Sequence, residues 1–153
     1  MENKKDLNQN LSHYQFSPES QYLDRKSARK KPQELLKHLI AFANADGGQL
    51  VIGIEDEKQD NIITGFKDGK SYPIDDFKKI DREMRETPLD LSFEEIPVVN
   101  HKGEDDLILV ISVELSSNRV IAAPNDDVYL RQGDESIKLS YEQRTQLSYD
   151  KGQ

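Results

Sequence analysis

The chain has 153 residues, a formal net charge of −8, 33% charged side chains and no cysteine. That length supports one hydrophobic core, and the lack of thiols excludes a disulfide framework or a thiolate metal site. The acidic total excludes phosphate binding over the whole surface, which depends on cationic side chains releasing counterions, so any nucleic-acid site must be local.

Taken in order, residues 1–17 show no period and are rich in Asn, Gln, Ser and Lys, the pattern of a flexible arm. They are too polar for a signal peptide, and no later stretch approaches the roughly 20 apolar residues of a membrane span, so a cytoplasmic protein without membrane partners is expected. Pro18, Glu19 and Ser20 lead into an extended piece over residues 21–26, followed by a basic loop at 27–31. In Arg25, Lys26, Arg29, Lys30 and Lys31, five of seven consecutive residues are cationic.

Residues 32–56 are the organising stretch. Leu35, Leu36, Leu39, Ile40, Phe42 and Ala43 recur at helical spacing, Pro32 suits the first helical position, and Asp46, Gly47 and Gly48 supply the stop. Residues 50–54 are apolar on both faces, as a central strand requires, and Gly53 within them predicts a bulge or a close backbone approach. A polar connection then leads to a β-branched run at 62–66, so a hairpin is expected.

Pro73 opens a second helix with Ile74, Phe77, Ile80 and Met84 on one face, ended by Thr87 and Pro88. Residues 91–99 are extended, and Pro97 implies an edge or a bulge. Residues 106–115 form the strongest strand, with Ile111, Val113 and Leu115 inward and Ser112 and Glu114 outward. A short extended piece at 120–123, a strand at 128–131 closed by Gln132, Gly133 and Asp134, residues 137–139, and one or two helical turns after Ser140 complete the chain. The order predicts an α+β domain: a mixed sheet with two main helices packed mostly on one face.

Several blocks carry a resemblance: Glu19-Ser20, the charged strand ending in Lys26, Ala41-Phe42-Ala43-Asn44-Ala45-Asp46-Gly47-Gly48, Ile52-Gly53-Ile54-Glu55-Asp56, Gly65, and Tyr129-Leu130-Arg131-Gln132-Gly133-Asp134. In this order and spacing they resemble the Schlafen-type, Alba-like DNA-binding domain, a module also catalogued as a divergent AAA domain. The resemblance implies an arm at residues 1–17, a domain at 18–142 and a tail at 143–153. It also implies a setting at the N-terminus of bacterial transcriptional regulators, with a C-terminal partner domain absent from this chain. Relatives carry a second glutamate and a phenylalanine where this sequence has Asp24 and Arg25, and a proline near Arg119 and Val120.

Two sets of residues compete for a functional role. Arg25, Lys26, Arg29, Lys30 and Lys31, joined by Arg131, have the chemistry to neutralise phosphates; the plain alternative is a solvated charge run. No aromatic residue interleaves the cluster, which argues against a stacking platform for single strands. The second set, Glu19, Asp24 and Asp56, matches the three acidic positions that form the catalytic centre of eukaryotic Schlafen endoribonucleases. The resemblance thus implies Mg²⁺ or Mn²⁺ held by three carboxylates. Against it, Glu19 and Asp24 lie five apart on an extended piece and do not share a face without a bulge, Asp24 has basic neighbours, and Asp56 suits a turn.

The stretch Gly65-Phe66-Lys67-Asp68-Gly69-Lys70-Ser71 looks like a phosphate loop, but it has three residues between its glycines where four are required, so ATP is not expected. His13, His38 and His101 have no ligand spacing and read as surface imidazoles. Asn44 reads as a residue that bonds backbone at the helix stop. The leading expectation is a module binding DNA or RNA in a transcriptional-regulator setting. The alternatives are a metal-dependent endoribonuclease and a non-catalytic interaction domain that forms a homodimer.

Overall fold

The computed structural model describes residues 4–152, with side chains from residue 10 onward. In chain order the elements are α1 (Lys4–Phe16), β1 (Leu23–Lys26), α2 (Pro32–Asn44), β2 (Gly48–Ile52), α3 (Ile74–Lys78), β3 (Leu91–Val99), β4 (Asp105–Val113), β5 (Tyr129–Gln132), β6 (Glu135–Lys138) and α4 (Tyr141–Asp150). Four strands form a mixed sheet in the order β1-β2-β4-β3, and β5 and β6 form a separate hairpin. The fold is therefore α+β, as the element order predicts.

Helix α2 forms where the apolar period sets it. Pro32 occupies the first turn behind Lys31, where its missing N–H leaves no donor stranded. At the other end Gly47 takes φ +80°, a conformation open to glycine at no steric cost, and its N–H returns to the carbonyl of Phe42 at 2.8 Å. Gly48 is required for a different reason. A Cβ there would lie 2.5 Å from the Phe42 ring, so only glycine lets β2 begin directly beneath the helix.

One side of α2 packs Leu35, Leu39, Ile40 and Phe42 against Leu50, Ile52, Leu109, Ile111 and Val113 of the sheet. Each such side chain stabilises the fold by about 1.5–3 kcal/mol when fully buried. The β5–β6 hairpin packs on α2 as well, so the polar residues His38 and Asn44 are buried along with the apolar stripe. The parallel pairing of β1 with β2 is the crossover that α2 bridges. β3 lies at the edge of the sheet, which accommodates the missing N–H of Pro97.

Five local expectations are revised. Residues 62–66 do not form a hairpin with β2, because both flanks of β2 are taken by β1 and β4. Gly53, at φ +108°, turns the chain out of the sheet, and only the bridge between Ile54 and Ile63 remains. Leu115 is not inward: β4 ends at Val113 and Leu115 is 48% exposed.

The segment read as an arm contains α1 over its described part, and Leu11 and Tyr14 pack on the second face of the sheet against Leu23, Val51, Ile54, Ile108 and their neighbours. Two contacts give no visible apolar stripe, which is why the helix escaped the period count. Finally, α3 is short, and the chain beyond it turns while still burying Ile80 and Met84. α4 runs longer than the one or two turns expected, started by a capping box between Ser140 and Gln143.

Candidate nucleic-acid interface

Asp24 sits on β1 and is 1% exposed. Its Oδ2 accepts a hydrogen bond from Arg131 Nη1 at 2.7 Å, and its Oδ1 lies 3.4 Å from Lys26 Nζ. The Arg131 guanidinium is buried in full. It donates to the Ser20 carbonyl, the Leu23 carbonyl and Ser136 Oγ, and lies 4.7 Å from the centre of the Phe42 ring. Arg131 is therefore a structural cation of the core, and its expected place on a basic surface is corrected.

The strand period explains the error. Arg131 shares a face of β5 with Tyr129, which packs on the core.

His38 joins the same cluster and is not a surface imidazole. Its Nδ1 lies 2.8 Å from Ser136 Oγ and 3.6 Å from Asp24 Oδ2. Burial outweighs the attraction of Asp24 and pushes the ring down to about 4, so it is neutral near pH 7. Serine and aspartate meet the same ring nitrogen, so these three residues cannot relay a proton as a Ser-His-Asp triad does, where the two partners use opposite nitrogens.

Glu19 does reach Asp24. The intervening chain folds back through a bond from the Ser20 N–H to the Leu23 carbonyl, so the odd spacing in sequence does not separate them. Burial first, then the negative charge of Asp24, push the Glu19 carboxyl up to about 7. Glu19 and the exposed Asp56 line one cavity of about 440 Å³ together with Arg25, Glu57, Lys58, Asn61 and Asp134. Asp56 also shapes the following turn, its carbonyl accepting from Gln59 and Asn61.

A three-carboxylate metal centre does not fit these side chains as placed. Asp24 Oδ2 is committed to Arg131, and among the described residues no group of three or more His, Asp or Glu is arranged to hold a metal ion.

The basic loop divides in the same way. Arg25 is 2% exposed and donates to the carbonyls of Tyr14 and Ser17, pinning the end of α1. It too leaves the expected surface. Lys26 leans on Asp24, and Arg29 is paired with Asp68. Lys30 and Lys31 remain exposed at the amino end of α2.

Three further cations gather near them from segments that the sequence keeps apart. The loop at 67–71 is joined to the basic loop by Arg29 to Asp68 and by the Tyr72 N–H to the Ala28 carbonyl. It carries the exposed Lys67 and Lys70, and the exposed Lys102 is near enough to act on the Asp68 carboxyl. Lys67 and Lys70 fall in the phosphate-loop-like stretch, but no sequence signal marks them as neighbours of the basic loop or of Lys102.

Residues 19–140 match the family model described as Schlafen, AlbA_2. The chain belongs to the Schlafen AlbA_2 family. A search of curated proteins finds no match. Among solved structures, the Schlafen AlbA_2 fold of this chain is similar to the crystal structure of the DIP2311 protein from Corynebacterium diphtheriae. The TM-score is 0.57 and the identity 18%, over 91% of this chain and 32% of that one. This likeness shows the fold, and this chain spans about a third of that protein's length.

Within this Schlafen AlbA_2 domain the phosphate-loop-like stretch has its amides engaged by the protein itself. Phe66 and Lys67 donate their N–H groups to the buried Asp106, and Lys70 donates to Asp68. Among the described residues no helix is long and apolar enough to cross a membrane.

Proposed function

We propose that this Schlafen AlbA_2 domain binds nucleic acid by its phosphate backbone, using Lys30 and Lys31 at the amino end of α2 with Arg29, Lys67, Lys70 and Lys102 around them. The observation that carries the reading is that the basic loop is joined to the loop carrying Lys67 and Lys70 through Arg29 and Asp68, with Lys102 close enough to act on Asp68, on a chain whose formal net charge is −8. A random scatter of 21 basic residues among 29 acidic ones would interleave the signs. Here the acids at the group are Asp68, paired with Arg29, Asp106, which takes the Lys67 N–H, and Glu34 in the first turn of α2. The partial positive charge at the start of α2 adds to the attraction.

The chemistry favours a duplex over splayed single strands. The exposed large apolar side chains are Phe16, Tyr22, Ile62, Val99, Leu115, Tyr141 and Tyr149, and none belongs to the three basic segments. Base stacking therefore has no platform there, whereas backbone neutralisation needs only cations. Such contacts position a protein on a duplex without reading sequence.

The test is fluorescence anisotropy with labelled 20-base-pair DNA and RNA duplexes across a salt series. Engagement of about three to five phosphates gives a slope of log K on log salt of about −2.7 to −4.5. Lys30→Glu with Lys31→Glu should weaken binding at least about tenfold at low salt and flatten the slope. No binding in dilute buffer, or equal binding by the charge-reversed variant, refutes the reading. The relative affinity of the two duplexes assigns DNA or RNA.

A further inference from the structure

Asp68 is placed unlike the other residues of its loop. Its neighbours Lys67, Gly69 and Lys70 are exposed, yet its own side chain is only 11% exposed. The carboxylate is held from two directions. Oδ2 accepts from Arg29 Nε at 2.9 Å and from Arg29 Nη2, and Oδ1 accepts from the Lys70 backbone N–H at 2.8 Å. The Lys70 amide first, then Arg29, with the charge of Lys102 adding, hold the Asp68 carboxyl below the usual carboxylate range. A guanidinium edge, a backbone amide and nearby ammonium groups are the donors by which proteins seat phosphate. The same turn carries Ser71, whose Oγ is buried with no hydrogen-bond partner among the described residues.

We propose that the seat filled by Asp68 is a phosphate subsite, and that its carboxylate is an internal stand-in which a backbone phosphate of the bound nucleic acid displaces. The inference rests on the nucleic-acid reading for the source of the phosphate and on the seat's own geometry for its existence. The tip of the turn is open on its outer side: a Cβ at Gly69 would meet nothing within 4 Å, while the Ser71 N–H holds the Asp68 carbonyl at 2.9 Å, so the backbone of the turn can stay in place as the carboxylate leaves. A phosphodiester offers two anionic-edge oxygens in a spacing similar to a carboxylate's, and Arg29 can receive it through the same two N–H groups. Intramolecular competition of this kind lowers affinity for every ligand phosphate.

The test uses the full chain, inorganic phosphate and the labelled duplexes. Asp68→Asn removes the charge but keeps an oxygen for the Lys70 N–H, so the turn is retained. In ¹⁵N-resolved NMR titrations with inorganic phosphate, the Arg29 Nε–H and Lys70 N–H signals of Asp68→Asn should shift and saturate at lower phosphate than in the parent chain by about fivefold or more, the scale of one unit charge removed near 4 Å in bulk water. Adding Arg29→Gln to that variant should abolish the response. The subsite is overturned if parent and variant respond alike, or if the response survives the loss of Arg29.

The duplex arm separates this inference from the reading it rests on. If Asp68→Asn seats phosphate but no duplex binds either protein, the subsite stands for free phosphate and the nucleic-acid reading falls. If duplex binding depends on Lys30 and Lys31 while Asp68→Asn changes nothing, the subsite falls and that reading stands.

Discussion

Arg131 Nη1 donates to Asp24 Oδ2 at 2.7 Å across 107 positions of sequence. The bond ties the β5–β6 hairpin to the first strand of the main sheet, and the guanidinium carrying it lies on the Phe42 ring of α2. The consecutive elements β1 and α2 thus meet the distant β5 at one buried ion pair. A buried pair contributes little net stability, because desolvation offsets its attraction, but a lone buried charge is costly. The pair therefore fixes where the hairpin docks more than how tightly.

Removing one partner should expose that asymmetry. Arg131→Ala leaves the Asp24 carboxylate in the core with Lys26 as its remaining cation, beside the neutral His38 ring and Glu19, and is expected to cost about 3–5 kcal/mol in urea unfolding. Replacing both, as Asp24→Leu with Arg131→Met, should recover much of that loss. A cost below about 1 kcal/mol for the single change would mean that water reaches Asp24 and that the hairpin docks through apolar contacts alone.

The contrast between what the sequence discloses and what it hides follows the range of the interactions. The α2–β2 block is legible because an apolar period, a first-turn proline and paired glycines are local signals. The hairpin expected between 50–54 and 62–66 fails because strand neighbours are chosen over long distances: β2 pairs with β1 and with β4, whose partner residues Gly48 and Val113 lie far apart in the chain.

Charge composition misleads for a related reason. Arg25 and Arg131 look like surface cations until their partners, the Ser17 and Tyr14 carbonyls and Asp24, are located in space. Asn44 is half legible. It does bond backbone, but the groups are Ile121, on both its N–H and carbonyl, and the Tyr129 carbonyl, and not the adjacent turn. The local basic run identifies Lys30 and Lys31, while Asp68 and the lysines beside it come together only through folding.

Glu19 and His38 give the fold opposing pH dependences. The folded Glu19 carboxyl is raised from 4.5 to about 7, so the stability it contributes is fully present below the lower value and is lost as pH rises through 7. His38 is lowered from 6.5 to about 4. Its contribution is present above pH 6.5 and is lost as pH falls toward 4. Glu19→Gln removes the first effect only, so thermal unfolding followed from pH 5 to pH 8 should show the parent losing stability relative to this variant. Solvent reaches the half-buried carboxyl and screens it, so the difference is about 1 kcal/mol rather than the full value of the shift. Parallel curves for the two proteins would place the Glu19 titration back in the ordinary carboxylate range.

Gly65 and Asp106 make the last coupled pair. Asp106 is 8% exposed and takes N–H groups from Phe66, Lys67 and Leu107 and from the Asn100 amide. Burial alone would raise its carboxyl, but these bonds overrule it and the group is lowered. That stability is present above the unfolded carboxylate value near 4 and is lost as pH falls through the folded one. Asp106→Ala strands several donors and should cost about 3 kcal/mol. Gly65→Ala should also destabilise, since the residue holds φ +64° and its Cβ would lie 2.1 Å from Asp106 Oδ2. The two costs share a cause, because the overlap in Gly65→Ala disappears once the carboxylate is gone. In denaturant unfolding the double variant should therefore lose less than the sum of the single ones, by about 1 kcal/mol or more. Strictly additive losses would mean that the φ of Gly65, not its contact with Asp106, sets the requirement for glycine.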